Sequence, residues 1–139
     1  MIKSLQVLFV VILGSMIWVT TWAGLQCPLF GVPRAVATHP WFIATMFDAY
    51  WGFITFYVWV CYRQTSWIAR IAWFLAILSL GNIAMSSYCL AALSQAPKDG
   101  KLSDVLISRK QGPSWLGIVL AVVGAGVTVA AAFDNHPAR

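Results

Sequence analysis

The run WIARIAWFLAILSLGNIAMSSYCLAAL, residues 67–93, decides how this chain folds. Its single charge is Arg70, one turn in, where a long apolar stem can reach back to a headgroup layer. As one helix the run is about 40 Å long, more than the roughly 30 Å hydrocarbon core of a bilayer. The spacing predicts a membrane-crossing helix that tilts or protrudes. Before it, Arg63-Gln64-Thr65-Ser66 makes a tight polar turn, with Ser66 placed to cap the helix.

Three more apolar runs flank this one. Residues 5–25 follow Lys3 and have two readings. One is a secretory leader with Thr21-Trp22-Ala23 as a poor cleavage site. The other, taken here, is an uncleaved first helix, because about 20 apolar residues suffice to cross. Pro28, Gly31, Pro33 and Pro40 break the chain into a loop before a second helix over residues 41–62. Residues 95–112 are polar, but Leu102, Val105 and Leu106 recur at helical spacing. They suit a short amphipathic helix near 102–110 lying on the headgroups, or else an ordinary loop. A fourth helix covers 115–133, and a polar tail follows.

The expected fold is all-α: a single domain over 1–139, with four transmembrane helices near 5–25, 41–62, 67–93 and 115–133. Four crossings put both termini on the side of the Arg63 turn, and the 26–40 and 95–112 loops on the far side. Aromatic residues mark both levels, with Trp59, Tyr62 and Trp67 at the turn side and Trp22, Trp41, Tyr88 and Trp115 at the far side. Lys3, Arg63 and Arg70 tilt the turn side towards the cytoplasm.

Composition sets the class. Of 139 residues, 60% are hydrophobic and 9% charged, against about 25% charged in a soluble domain, so lipid must be the solvent for much of the chain. A net charge of +5 suggests nucleic acid in a soluble protein. Here the nine cations are scattered, with no run of the kind a nucleic-acid arm needs, and they read as contacts to anionic headgroups. There is no glutamate, and of the aspartates (48, 99, 104 and 134) only Asp48 lies in an apolar run. Paired-carboxylate hydrolysis and carboxylate-bridged metal pairs are thereby excluded. His39 and His136 fall on opposite sides and share no metal. Cys27 and Cys89 both fall on the far side and can pair only if that side is oxidising.

Two features bear on packing. In helix four, Gly117, Ala121, Gly124, Thr128 and Ala132 form a small-residue seam that admits another backbone, either within the bundle or from another protein. In the hairpin of helices two and three, counting rise from the turn sets Asp48 opposite Asn82. Asp48, Gly52 and Thr55 on one helix then face Ser79, Asn82, Ser86 and Cys89 on the other. The resulting intramembrane polar cluster, Asp48, Thr55, Ser79, Asn82 and Ser86, has three readings: a structural tie, a ligand-polarising site, or a proton relay. Trp18, Trp51 and Trp73 are the tryptophans left to contact a flat apolar ligand.

The segments His39-Pro40-Trp41-Phe42, Phe47-Asp48-Ala49-Tyr50-Trp51-Gly52-Phe53, Thr55-Phe56-Tyr57-Val58-Trp59-Val60 and Gly81-Asn82-Ile83-Ala84-Met85-Ser86 resemble an uncharacterised family of small multi-pass membrane proteins, a domain of unknown function. The resemblance covers about residues 5–94. It implies a four-helix membrane fold with the Asp-containing helix at its centre, and no activity. A looser likeness in helix pattern to small membrane enzymes and cyclases of carotenoid and terpenoid metabolism is analogy alone.

Two functions follow as expectations. The first is a non-catalytic accessory subunit that packs into a larger membrane complex or a homo-oligomer and contacts membrane lipids, with lipid or a carotenoid-type isoprenoid pigment filling its grooves. The second is a small membrane enzyme acting on an isoprenoid, with Asp48 as general acid and Asn82, Ser86 and Tyr50 orienting substrate.

Overall fold

The computed structural model describes residues 1–96, 102–109 and 114–134. The expectations for His136, the C-terminal tail, Lys98, Asp99, Lys101, Lys110 and Arg139 lie outside them. The described residues are helical and contain no strand. In chain order the helices are α1 (Ile2–Gln26), α2 (Arg34–Ala37), α3 (Pro40–Arg63), α4 (Trp67–Leu80), α5 (Asn82–Ser94), α6 (Leu102–Ile107) and α7 (Ser114–Asp134).

Local chemistry explains most boundaries. Pro40 sits at the first position of α3, where its fixed φ suits the helix and its missing N–H costs nothing. The His39 ring caps the same end by accepting from the Trp41 N–H at 3.3 Å. Gln64 leaves the helix in extended conformation, and Ser66 occupies the N-cap of α4 without a side-chain hydrogen bond.

The run 67–93 is two helices, not one. Gly81 has φ +53° and ψ −125°, a backbone state that L side chains rarely adopt. Its N–H closes α4 onto the Ile77 carbonyl at 2.8 Å, and its carbonyl opens α5 by accepting from Met85 at 3.1 Å. The chain reverses there. The Trp73 and Tyr88 rings are 4.8 Å apart, whereas a continuous helix would separate their backbones by about 22 Å. Gln64 reaches Tyr88 as well, at 3.3 Å. Phe53 of α3 seals the apex: a Cβ on Gly81 would lie 2.7 Å from its ring.

The reversal reorganises everything after it. Three described helices remain long and apolar enough to cross a membrane, namely Ile2–Gln26, Pro40–Arg63 and Trp115–Phe133. The fourth expected span is replaced by the α4–α5 hairpin. The start of α1, the end of α3, both outer ends of the hairpin, α6 and the start of α7 gather at one end of the bundle, the turn end. Leu5 and Phe9 of α1 there share a cavity with Trp59, Leu93 and Leu102. Tyr88, Cys89 and Trp115, expected at the far side, therefore belong to the turn end. So does α6, the described part of the expected 102–110 helix, with Val105 buried inward. Along α7, Gly117 meets Trp73 and Gly124 meets Ser79. α7 thus runs alongside α4 towards the apex and ten residues past it.

The centre of the bundle is α4, which packs against α3, α5 and α7. The Asp48-bearing α3 is peripheral, with buried residues only in its last turn, Val60 and Arg63. Beyond the apex, residues 17–26, 40–52 and 125–133 contain no buried side chain. Bare helices of this composition suit lipid or a partner.

Candidate functional site

The densest polar chemistry sits at the turn end. The last turn of α3 directs Arg63 inward, where it is 3% exposed, and the extended Gln64 that follows is fully buried. Gln64 Nε2 donates to the Tyr88 hydroxyl at 3.3 Å. The Tyr88 ring meets Trp73, Trp59 and Phe56 edge-on, at 4.8, 5.5 and 6.1 Å between centroids. Such contacts contribute about 0.5–1.5 kcal/mol each beyond area burial. The Arg63 guanidinium lies over two of these rings, 5.4 Å from Trp59 and 5.8 Å from Tyr88.

Side chains of α3 hold α6 over this cluster. Trp59 Nε1 donates to the Leu106 carbonyl at 3.0 Å, and Arg63 Nε donates to the Ser108 carbonyl at 3.3 Å. Arg109 then stacks on Tyr62 at 5.0 Å. On the other flank, Arg70 Nε donates to the Gln64 carbonyl at 2.9 Å. Two further arginines, Arg70 and Arg109, therefore reach residues 62–64 beside Arg63.

Among the described residues, two buried side-chain atoms lack a hydrogen-bond partner: Gln64 Oε1 and Trp73 Nε1. An orphaned buried group of this kind costs about 1–3 kcal/mol. The two rings offset about 0.5–2 kcal/mol of the cost of burying the Arg63 charge. Beside the cluster, α1, α3, α5 and α6 line an open-sided cavity of about 400 Å³, with Leu5, Phe9, Trp59, Cys89, Leu93 and Val105 among its walls. That volume falls within the range of small-molecule pockets. No group of three metal-ligating side chains occurs among the described residues.

The expected intramembrane cluster is not assembled. Asp48 and Asn82 are exposed, Ser86 is buried, and no hydrogen bond joins any two of Asp48, Asn82, Ser86 and Tyr50. Thr55 turns back to the Trp51 carbonyl of its own helix, and Ser79 lies against Gly124. The register explains this. Gly81 abuts Phe53, about one turn from the pairing that would set Asn82 against Asp48. The reversal then carries Ser86 away from Ser79, so the polar stripe of residues 79–89 never lies on one face.

Other candidates divide at the apex. Gly117 and Gly124 are buried and Ala121 half-buried against the hairpin, whereas Thr128 and Ala132 lie beyond it, exposed. Trp59 and Tyr88 join one cluster instead of marking opposite interfaces. Trp22, Trp41, Tyr62, Trp67 and Trp115 are exposed. Of the spare tryptophans, Trp73 is fully buried, and Trp18 and Trp51 are open. Cys27, Cys61 and Cys89 are free thiols, and Cys27 lies at the far end from Cys89.

Arg63 and Gln64 escaped sequence reading because a charged residue beside a glutamine in a four-residue turn reads as solvated. The signal that would have found them is Gly81-Asn82. A glycine inside an apolar helical run marks a helix stop, and a stop there folds Tyr88 back onto the turn.

Neither the curated proteins nor the solved structures contain a match to this chain. A family model described as a protein of unknown function, DUF1475, matches residues 3–114, which include α3 to α6 in full, and the chain belongs to that family.

Proposed function

We propose that the chain is a small non-catalytic integral membrane protein, an accessory subunit that packs into a larger membrane assembly. It crosses the bilayer three times, by α1, α3 and α7. The α4–α5 hairpin re-enters from the turn end without crossing: α4, with 14 residues, is about 21 Å long, short of a 30 Å core. The N-terminal and C-terminal ends then lie on opposite sides of the membrane.

The supporting observation is Asp48. It stands eight residues into a spanning helix, exposed and without a hydrogen bond among the described residues. A carboxylate at such depth costs about 2.5–3.5 kcal/mol unless something meets it. The uncovered end of the small-residue seam, Thr128 and Ala132, lies in the same bare half. The partner that suits both is a membrane helix with small residues and a donor or cation at the level of Asp48.

Gentle detergent extraction followed by native mass measurement tests this. A stable species heavier than the 15.3 kDa chain and containing a different protein is expected, and Asp48→Leu should dissociate it. The bare chain in every mild detergent, or only multiples of its own mass, would contradict it.

A further inference from the structure

We infer that the turn end lies at the cytoplasmic face, so that the bare half of the bundle meets its partner in the outer leaflet, the one facing away from the cytoplasm. This orientation rests on the three-crossing, accessory-subunit reading and adds to it which leaflet holds the contact.

Lysine and arginine near the ends of spanning helices are kept on the cytoplasmic side, whereas acidic residues carry little weight. The count therefore holds whatever meets Asp104. Among the described residues the turn end holds Lys3, Arg63, Arg70 and Arg109, and the far end holds Arg34. Each lies well within the roughly 15–20 residues of a spanning helix end over which the bias acts. Across α1 the charges balance, Lys3 against Arg34. α3 breaks the tie, with Arg34 before it and both Arg63 and Arg70 after it. α7 adds Arg109 before its start. The reversal at Gly81 gives the count its weight. A helix running straight through 67–93 would carry Arg109 to the far end and leave Lys3, Arg63 and Arg70 against Arg34 and Arg109.

Depth along the helices then assigns the contact to a leaflet. Asp48 stands 15 residues before Arg63, about 22 Å from the turn end of α3. That is past the middle of a core roughly 30 Å thick. Thr128 of α7 stands 14 residues after Ser114, at about 21 Å, and Ala132 lies one turn further. The carboxylate and the uncovered end of the seam therefore share the outer leaflet. A partner helix offers them its donor or cation, and its small residues, in its own outer half.

The test uses the full chain in intact spheroplasts of a bacterial host, treated with a membrane-impermeant maleimide before and after lysis. Three single-cysteine chains are compared, with the other native cysteines replaced by serine. They carry Cys27 itself in the far loop, Trp67→Cys at the turn end, or Phe133→Cys at the end of α7. Cys27 and Phe133→Cys should react in intact spheroplasts, and Trp67→Cys only after lysis. Reaction of Trp67→Cys before lysis, alone or with the other two, overturns the orientation. So does silence of both Cys27 and Phe133→Cys until lysis when Trp67→Cys reacts freely. A third pattern separates the underlying reading from the orientation. If Cys27 reacts while Phe133→Cys is protected like Trp67→Cys, α7 ends on the turn side, and the three-crossing reading falls together with the count built on it.

Discussion

The two ends of this bundle obey different rules, although the same three long helices run through both. At the turn end the α4–α5 hairpin fills the space between α1, α3 and α7, and every buried side chain of the described residues lies there or along the hairpin. At the far end the same helices stand bare. The glycines record the contrast. A Cβ at Gly124 would come within 2.6 Å of Ser79, and one at Gly81 within 2.7 Å of Phe53, whereas Gly52 and Gly126 have nothing within 4 Å. A tight interior needs close backbone approach, and a lipid-facing helix does not. One half of the molecule is a folded core; the other is a set of surfaces.

The largest expected effect attacks the element that separates the halves. Gly81→Ala puts an L side chain at positive φ, which costs about 1–3 kcal/mol in backbone strain, and drives its methyl into Phe53. A denaturing-detergent titration should show its unfolding midpoint lowered more than that of any other alanine substitution at a glycine. Next, Gly124→Leu should destabilise by about 1–3 kcal/mol through overpacking against α4, while Gly126→Leu on the same helix should not. Losing that difference would mean that α7 does not rest on the hairpin.

Smaller effects sharpen the comparison. Trp59→Phe removes the hydrogen bond to the Leu106 carbonyl and should cost about 0.5–1.5 kcal/mol. It should also speed amide exchange in α6 while leaving α1 and α7 unchanged. Gly52→Ala, in the bare half, should instead stabilise by about 0.5–1 kcal/mol, because alanine is the better helix former and meets nothing. Asp48→Asn should shift the midpoint of the isolated chain by less than about 0.5 kcal/mol, since nothing among the described residues bonds to it.

Hydropathy alone located α1, α3 and α7 to within a few residues, because long apolar runs admit few alternatives in lipid. The short helix at Leu102, Val105 and Leu106 was legible from its spacing. What was not legible was the path of the chain through residues 67–93. Continuous apolar periodicity describes one long helix and two short antiparallel ones equally well, and only the dihedral angle at Gly81 decides between them. One misread glycine moved Tyr88, Cys89 and Trp115 to the wrong end. It also hid the pocket around Arg63 and Gln64, whereas the Asp48–Asn82 pairing fails by about one turn of register, set where Gly81 meets Phe53. The candidate site joins residues 24 or more apart in sequence, Gln64 with Tyr88 and Arg63 with Ser108, and no local pattern encodes such pairs.

The reversal at Gly81 carries all of this, and a single distance tests it. Nitroxide labels on Trp67→Cys and Ser94→Cys, with Cys27, Cys61 and Cys89 replaced by serine, mark the outer ends of α4 and α5, both exposed. Pulsed electron paramagnetic resonance on the reconstituted chain should give a distance below about 25 Å, as two packed helices require. A distance near 40 Å, the length of one continuous helix, would contradict the hairpin and the three-crossing topology built on it.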